Sequence, residues 1–168
     1  MTLDNYHVQA TRVQLLPDDV INQIAAGELV ERPASVIKEL VENSIDAGSE
    51  EILVNITQGG TSSIEVVDIG NGMTKSNALM AIERFATSKV RNIDDVLNVT
   101  SLGFRGEALP SIASVSKFVL RTRTEAEEIG TEIEIHGGKI KSVSSCNCPK
   151  GTRIEVGRLF FNVPARRK

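Results

Sequence analysis

Three oxygen-bearing side chains recur in the sequence at a spacing that suits phosphate chemistry. Glu39, Asn43 and Asp46 are spaced i, i+4 and i+7, so they project from one stripe of a predicted helix. A carboxylate can accept a proton from water, and an amide oxygen can ligate a hard cation. The stripe therefore predicts a site that activates water beside a metal-bound phosphate. The alternative is a solvated helix face, and this segment alone does not exclude it.

A glycine loop after a predicted strand has the composition of a nucleotide-binding loop. Asp68 is followed by Gly70 and Gly72. An aspartate carboxylate accepts a hydrogen bond from an exocyclic amine, so Asp68 would select adenine over guanine. The two glycines would let a flat base lie against the backbone. A β-turn that begins at an aspartate is the alternative interpretation.

A second glycine loop precedes a predicted helix. Free N–H groups between Gly103 and Gly106 would suit phosphate, and Arg105 adds positive charge. An ordinary capped helix is the alternative here. Neither loop fits a standard motif: the Walker sequence is absent, and Lys75 stands where a Rossmann or kinase loop requires its third glycine.

The elements that must position these residues follow from periodicity and from turn residues. Gly27 is expected to end or interrupt the first helix, Gly48 to follow the second, and Thr74 to cap the third. On the second helix, Ile45 is expected to face the core. The predicted helices cover 17–26, 33–47, 74–86, 94–97 and a segment ending near 115, with a further start at Pro164. The predicted strands cover 51–57, 63–67, 117–124, 130–136, 139–145 and 151–159. This order predicts an α+β fold, with helices over one face of a mixed, mostly antiparallel sheet.

Composition narrows the class of protein. The 168 residues are 40% hydrophobic and 24% charged, with a net charge of −3, which is ordinary for one globular domain and gives no global attraction to nucleic acid. No apolar run is long enough to span a membrane, and residues 1–11 read as a flexible N-terminal arm. Cys146 and Cys148 are expected to be free thiols in a reducing compartment. The predicted location is the cytoplasm, or the nucleus in a eukaryote.

Several longer motifs resemble the ATPase domain of the MutL DNA mismatch-repair proteins, in the superfamily of DNA gyrase and the histidine kinases. The resemblance extends over residues 12–168 and is strongest in I-A-A-G-E and G-F-R-G-E-A-L. The matching runs are residues 22–28, 32–47, 84–89, 101–109 and 162–168. The resemblance implies a Bergerat-type two-layer fold that binds ATP and Mg²⁺.

The resemblance also implies residue roles. Glu39 would be the general base, Asn43 the Mg²⁺ ligand, and Asp68 the partner of the adenine amine, with Gly72 beside the base. The other nucleotide-binding residues would be Asp46, Thr87, Ser88, Lys89, Leu102, Gly103, Phe104, Arg105, Gly106 and Thr152. Thr87 to Lys89 and the second glycine loop would form the lid and the phosphate contacts, and Thr152 would assist at the adenine end.

The sequence departs from the family pattern at two positions. Ile69 stands where the D-N-G-x-G motif has Asn, and Val163 stands where Thr is usual. The loss of that Thr would cost about 1 kcal/mol if its hydroxyl capped a helix. The second subdomain of MutL ATPase modules, which supplies a lysine toward the γ-phosphate, is expected to be missing, so the domain would be truncated and its hydrolysis weak.

The implied function is that of an ATP-driven conformational and dimerisation switch in mismatch repair. Its implied partners are ATP or ADP, a MutS-type mismatch recognition protein and DNA, and no membrane. A catalytically silent nucleotide-binding or interaction module is the alternative. A protein or histidine kinase of the same superfamily is a weaker alternative, because no phospho-acceptor histidine motif is visible.

Overall fold

A computed structural model describes residues 14–83 and 106–167 of the chain. Its α-helices are α1 (Asp18–Leu29), α2 (Pro33–Asp46), α3 (Lys75–Ala81) and α4 (Ala108–Ser114). Its strands are β1 (Ile52–Thr57), β2 (Ser63–Asp68), β3 (Lys117–Arg123), β4 (Gly130–His136), β5 (Lys139–Cys146) and β6 (Gly151–Gly157). Short 3₁₀ turns cover Gln58–Gly60 and Pro164–Arg166. All six predicted strands are confirmed, most of them to within one residue at each end. The predicted arm over residues 1–11 and the short helix over 94–97 lie outside the described residues.

The six strands form one sheet in the order β1-β2-β6-β3-β4-β5. Every pairing between these strands is antiparallel, so the sheet they form has no parallel component. Because β6 inserts between β2 and β3, the last strand holds the N-terminal hairpin against the rest of the sheet. The α+β prediction is confirmed, and no described helix is both long and apolar enough to cross a membrane.

The two faces of the sheet differ in chemistry. On the inner face, alternate residues of β2, β3, β4 and β6 are buried, and α2 and α4 pack over them. The buried apolar residues of these strands are Ile64, Val66, Phe118, Leu120, Ile133, Ile135, Ile154 and Val156. On the outer face, Arg121 pairs with Glu132 and Glu155, and Arg153 pairs with Glu65 and Glu155. The helices in the described part of the chain therefore cover one face of the sheet, as the sequence predicts.

Helix α2 begins and ends as its sequence indicates, but the prediction that Ile45 faces the core is wrong. Pro33 occupies the first turn, where its missing N–H is not needed. After the helix, Gly48 has φ +72°, and its N–H donates to the carbonyl of Ile45 at 2.9 Å. Ile45 itself is 50% exposed. The buried stripe is Val36, Leu40 and Ser44, and one residue further the helix has turned by about 100° toward solvent.

Gly27 does not end the first helix, contrary to the sequence prediction. It lies inside α1, where a Cβ would overlap with a guanidinium nitrogen of Arg166. Arg166 Nη1 donates to the carbonyls of Ala26 and Val30, at 3.4 and 3.3 Å. Gly27 is therefore a packing residue that admits a side chain from 139 positions further along the chain (166 − 27).

Two other helix predictions are wrong in extent. Helix α3 begins after the predicted cap Thr74, but it ends at Ala81 rather than near residue 86. Its last turn tightens, since the N–H of Glu83 bonds the carbonyl of Met80 three residues back. At Pro164 the chain makes a 3₁₀ turn rather than an α-helix. Arg167 holds this turn, because its side chain donates to the carbonyls of Phe160 and Phe161.

Candidate functional site

Asp68 is the centre of the candidate site. It is the last residue of β2 on the inner face, and only 6% of it is exposed. Its Oδ1 accepts hydrogen bonds from the N–H of Gly70 at 3.0 Å and of Thr152 at 3.2 Å, and its Oδ2 accepts one from Ser44 Oγ at 2.8 Å. A carboxylate has about four acceptor positions, and these bonds use three of them. One position therefore remains for a donor on a ligand.

The loop after Asp68 packs against the end of α2. The N–H of Asn71 donates to the carbonyl of Ala47 at 3.0 Å, and a Cβ on Gly70 would lie 2.8 Å from the same oxygen. The N–H of Ile69 donates to Ser49 Oγ at 3.0 Å, while half of Ile69 is exposed to solvent. The unusual residue of the motif therefore leaves the backbone path of the loop intact.

Position 72 requires a glycine, because the backbone of other segments lies where a side chain would be. Its φ is +66°, and a Cβ there would overlap with the carbonyl oxygen of Arg123 and lie 3.1 Å from that of Gly151. Gly151, with φ +116°, in turn lies against the carbonyl of Asp68. Three backbone segments therefore meet at this edge of the sheet with no room for side chains. Such an edge lets a flat ligand approach the main chain closely.

Two residues of the site were missed from the sequence. Thr122 on β3 accepts a hydrogen bond from the N–H of Met73 at 2.9 Å and donates to the carbonyl of Gly151 at 3.0 Å. Its hydroxyl also lies 3.0 Å from that of Thr152, the predicted adenine-end residue. Ser44, the second missed residue, joins α2 to Asp68. Both are polar residues at positions that continue a buried apolar stripe. This pattern in the sequence could have identified them as site residues.

The predicted phosphate-end residues lie on α2, the helix that contacts Asp68 through Ser44. Asn43 directly precedes Ser44 in α2. Glu39 lies five residues before Ser44, which is about 7.5 Å along the helix axis. Asn43 and Asp46 are partly buried and each makes a polar interaction. The structure therefore brings α2 and the Asp68 loop together.

Glu39 lies beside a competing carboxylate. Its side chain is 20% exposed, as is that of Glu42. Lys38 Nζ lies 2.9 Å from Glu42 and 3.7 Å from Glu39, and the hydrogen bond to Glu42, with the charges of both carboxylates, raises the pKa of Lys38. The lysine therefore makes its shorter contact with Glu42 and its longer one with Glu39.

The second glycine loop is described only at its end. Gly106 has φ +66° and stands two residues before α4. The other predicted lid and phosphate residues lie outside the described residues: Thr87, Ser88, Lys89, Leu102, Gly103, Phe104 and Arg105. A separate cavity of about 460 Å³ opens between α1, α4 and the turn after β4, and its lining includes Asn22, Ala113 and Gly138. Among the residues that the structure describes, none of the predicted site residues lines that cavity.

Comparison with known proteins identifies the class of protein. Residues 31–158 match the family described as histidine kinase-, DNA gyrase B-, and HSP90-like ATPases. The match extends over most of the chain and includes α2, the Asp68 loop and all six strands. The chain belongs to this ATPase family.

Within that family the similar proteins are MutL proteins. The chain is 57% identical to the DNA mismatch repair protein MutL of Geotalea daltonii over 159 residues, which are 95% of this chain and 27% of the relative. It is also 57% identical to MutL of Caldanaerobacter subterraneus subsp. tengcongensis, over 94% of this chain and 27% of the relative. The predicted resemblance to MutL is confirmed. The chain spans about a quarter of the length of these relatives.

Solved structures agree with the sequence comparison. The Aquifex aeolicus MutL ATPase domain complexed with ADP has a TM-score of 0.61 and 39% identity, over 82% of this chain and 47% of that one. The N-terminal domain of a DNA repair protein has a TM-score of 0.71 and 33% identity, over 88% of this chain and 41% of that one. The two-layer fold is therefore that of a MutL-type ATPase domain.

Proposed function

We propose that this chain binds ATP at the edge formed by Asp68, Gly72 and Thr152, and hydrolyses it with Glu39 as general base. The observation that carries the proposal is the environment of Asp68. A nearly buried carboxylate receives three hydrogen bonds, has no ion-pair partner among the residues that the structure describes, and keeps one acceptor position. The carboxylate of Asp68 can therefore accept a hydrogen bond from a donor on a ligand.

At the adenine end, Asp68 would accept a hydrogen bond from the exocyclic amine. Guanine carries a carbonyl oxygen at the corresponding position, which a carboxylate would repel, so the site would prefer adenine. The base would lie against the backbone at Gly72, where a side chain would overlap with the Arg123 carbonyl. Thr152 supports the arrangement from β6, since its N–H fixes Asp68 and its hydroxyl meets Thr122.

At the phosphate end, the donor set on α2 fits a magnesium ion. Mg²⁺ prefers oxygen ligands and is commonly held by one or two protein groups together with substrate phosphates. Asn43 would supply its amide oxygen, and Asp46 lies one turn further on the same stripe. No three metal-ligating His, Cys, Asp or Glu groups cluster in residues 14–83 and 106–167, and a site shared with phosphates needs no such cluster. When bound, the ion would offset phosphate charge.

The chemical role of Glu39 follows from its place on α2. Its carboxylate would orient a water for in-line attack on the γ-phosphate and accept the proton as the oxygen–phosphorus bond forms. We propose that Thr87 to Lys89 and the loop from Leu102 to Gly106 close over the phosphates, as lid residues do in the family.

At the level of the intact protein, we propose a switch in mismatch repair. The chain would be the ATPase portion, residues 12–168, preceded by an arm over residues 1–11. ATP would favour a closed, dimerised state and hydrolysis would release it. A MutS-type protein and DNA would be the partners, in the cytoplasm or, in a eukaryote, the nucleus.

Replacement of Asp68 tests adenine binding. In Asp68→Asn, we expect the fold to persist, because Ser44 Oγ also lies 3.1 Å from the carbonyl of Leu40 and can donate there instead. Loss of the charged acceptor should weaken binding of a non-hydrolysable ATP analogue by about tenfold or more, measured by calorimetric titration. Ser44→Ala is the control, because it removes one support and keeps the carboxylate. Equal affinity of Asp68→Asn and the unaltered chain would refute the adenine assignment.

Replacement of Glu39 tests the general base. We expect Glu39→Gln to bind the ATP analogue normally and to lose about 100-fold or more of its phosphate release rate. Glu42→Gln is a matched control, since both side chains are 20% exposed on the same helix and both lie within 4 Å of Lys38 Nζ. If both variants hydrolyse ATP at the same rate, Glu39 is not the base.

The silent nucleotide-binding module remains the second candidate, and Ile69 is the observation that favours it. Half of this apolar side chain faces solvent at a position where the family motif has a polar residue. Tight analogue binding without phosphate release, at any Mg²⁺ concentration, would favour this candidate over the enzyme.

A further inference from the structure

The two cysteines lie together on the outer face of the sheet, away from the helices. Cys146 is the last residue of β5 and pairs with Gly130 of β4. The sulfur of Cys148 occupies the space where a Cβ of Gly130 would be. Both thiols therefore meet at one glycine, whose missing side chain makes room for them. Both are partly accessible, and both are free.

The pair is asymmetric. Burial, and then the hydrogen bond with Cys148, raises the pKa of Cys146 to about 11. Cys146 lies within β5, whereas Cys148 lies beyond the end of that strand. We therefore assign the first attack to Cys148 and the second to Cys146.

The segment from Cys146 to Gly151 contacts residues of the candidate site directly. Arg123 Nε donates to the carbonyl of Cys148 at 2.9 Å, and the backbone carbonyl of Arg123 lies against Gly72. Three residues after Cys148, Gly151 packs against the carbonyl of Asp68 and accepts the Thr122 hydroxyl at 3.0 Å. A change in the backbone at Cys148 therefore reaches the residues around Asp68 by two short paths.

We propose that Cys146 and Cys148 are a redox modification site that forms an intramolecular disulfide and loosens the edge around Asp68. Two residues of extended chain span about 6.6 Å, near the upper limit of the Cα separation that a disulfide accepts. Because the usual Cα separation across a disulfide is about 5.5–6 Å, we expect closure of the bond to contract the segment from Cys146 to Cys148. That contraction displaces the Cys148 carbonyl from Arg123 and moves Gly151.

The oxidant is a small-molecule disulfide such as glutathione disulfide. The Cys148 thiolate attacks one of its sulfurs, forms a mixed disulfide and releases one small thiolate. Cys146 then gives its proton to solvent, attacks the Cys148 sulfur and releases the second small thiol. The protein loses two electrons and two protons, and the small disulfide is reduced to two thiols.

The first test uses the whole chain and does not require nucleotide. Because the sequence has only two cysteines, any intramolecular disulfide is this pair. After exposure to glutathione disulfide, alkylation and intact mass measurement should give a monomer that takes up no alkyl group and has lost two hydrogens. In Cys146→Ser the mixed disulfide on Cys148 should accumulate instead. Mixed disulfides on both cysteines of the unaltered chain, or disulfide-linked dimers, would overturn the proposal.

The second test follows the coupling. The amide of Thr152 donates to Asp68, so its hydrogen exchange reports on the edge. We expect exchange on the order of tenfold faster in the oxidised chain, reversal by a dithiol reductant, and no response in Cys146→Ser/Cys148→Ser. Unchanged exchange in a chain with the internal disulfide would overturn the coupling.

We also expect the oxidised chain to bind the ATP analogue more weakly than the reduced chain. This consequence rests on the proposed function. A failure of the cysteine proposal can be distinguished from a failure of the proposed function. If the reduced chain binds no nucleotide, the proposed function fails, while the mass and exchange results still decide the cysteine proposal.

Discussion

The two loops at the two ends of β2 contain glycines with the same backbone conformation and opposite surroundings. Gly59, in the hairpin before β2, has φ +65° and nothing within 4 Å of the place of its Cβ. Gly72, in the loop after β2, has φ +66° and lies against the carbonyls of Arg123 and Gly151. The first glycine meets a local need of the turn, whereas the second meets a need that only the assembled sheet creates.

The polar groups of the two loops differ in the same way. In the hairpin, the hydroxyl of Thr61 bonds the carbonyl of Gln58, three residues away and exposed to water. At the other loop, Thr122 bonds Met73 and Gly151, which are 49 and 29 residues away, and these bonds are partly buried and buried, respectively. The hydroxyl of Thr61 thus acts within its own turn, whereas that of Thr122 joins β3 to the loop after β2 and to β6. The candidate site lies at the loop after β2.

The largest expected effect separates the two glycines. We expect Gly72→Ala to lower the free energy of unfolding by about 3–4 kcal/mol, because it adds backbone strain and overlap with the Arg123 carbonyl. Gly59→Ala adds only the strain, about 1 kcal/mol. Urea denaturation of both variants measures the difference. Equal losses would mean that the close approach at Gly72 is not a constraint.

The next effect compares the two hydroxyls. Thr122→Val keeps the shape but leaves the partly buried N–H of Met73 and the carbonyl of Gly151 without their partner, so we expect a loss of about 2 kcal/mol. Thr61→Val should cost about 0.5 kcal/mol, because water can replace the exposed bond. Thermal unfolding at one pH provides the comparison. A loss at Thr122 no larger than that at Thr61 would contradict the network described for the site.

The smallest effect concerns Glu65, on the outer face of β2 between the two loops. The hydrogen bond from Asn55, at 2.7 Å, and the charge of Arg153 lower the pKa of Glu65 from its usual 4.5. A lowered pKa stabilises the folded state above about pH 4.5, and that contribution is lost as the pH falls through the lowered value.

The unaltered chain should therefore exceed Glu65→Gln in stability by no more than about 0.5 kcal/mol at pH 7, since the pair is partly solvated. The difference should shrink as the pH falls below 4.5 and through the lowered pKa of Glu65. Asn55→Ala, which removes the largest cause, should show most of the same change in a urea titration repeated across this range. A difference that persists unchanged at pH 3 would show that its origin is not the ionisation of Glu65.

The local elements were predictable to a useful degree. The strands were predicted closely because alternating burial repeats every two residues, and the inner face of this sheet follows that rule. Pro33 and Gly48 marked the ends of α2 for reasons contained in their own backbones. Helix predictions failed where a distant contact decided the outcome, as at Gly27, whose missing Cβ admits Arg166.

The sequence by itself determined the strands, the ends of α2 and the family, because these depend on periodicity, on proline and glycine conformations and on contiguous motifs. It also indicated Glu39, Asn43, Asp68 and Gly72 as chemical candidates. Only the tertiary structure decided that Ser44 and Thr122 support the site and that β6 completes it, by inserting between β2 and β3. The physical reason is that a buried polar group must find its partner wherever the fold brings one, and the spacing of residues along the chain does not say where that is.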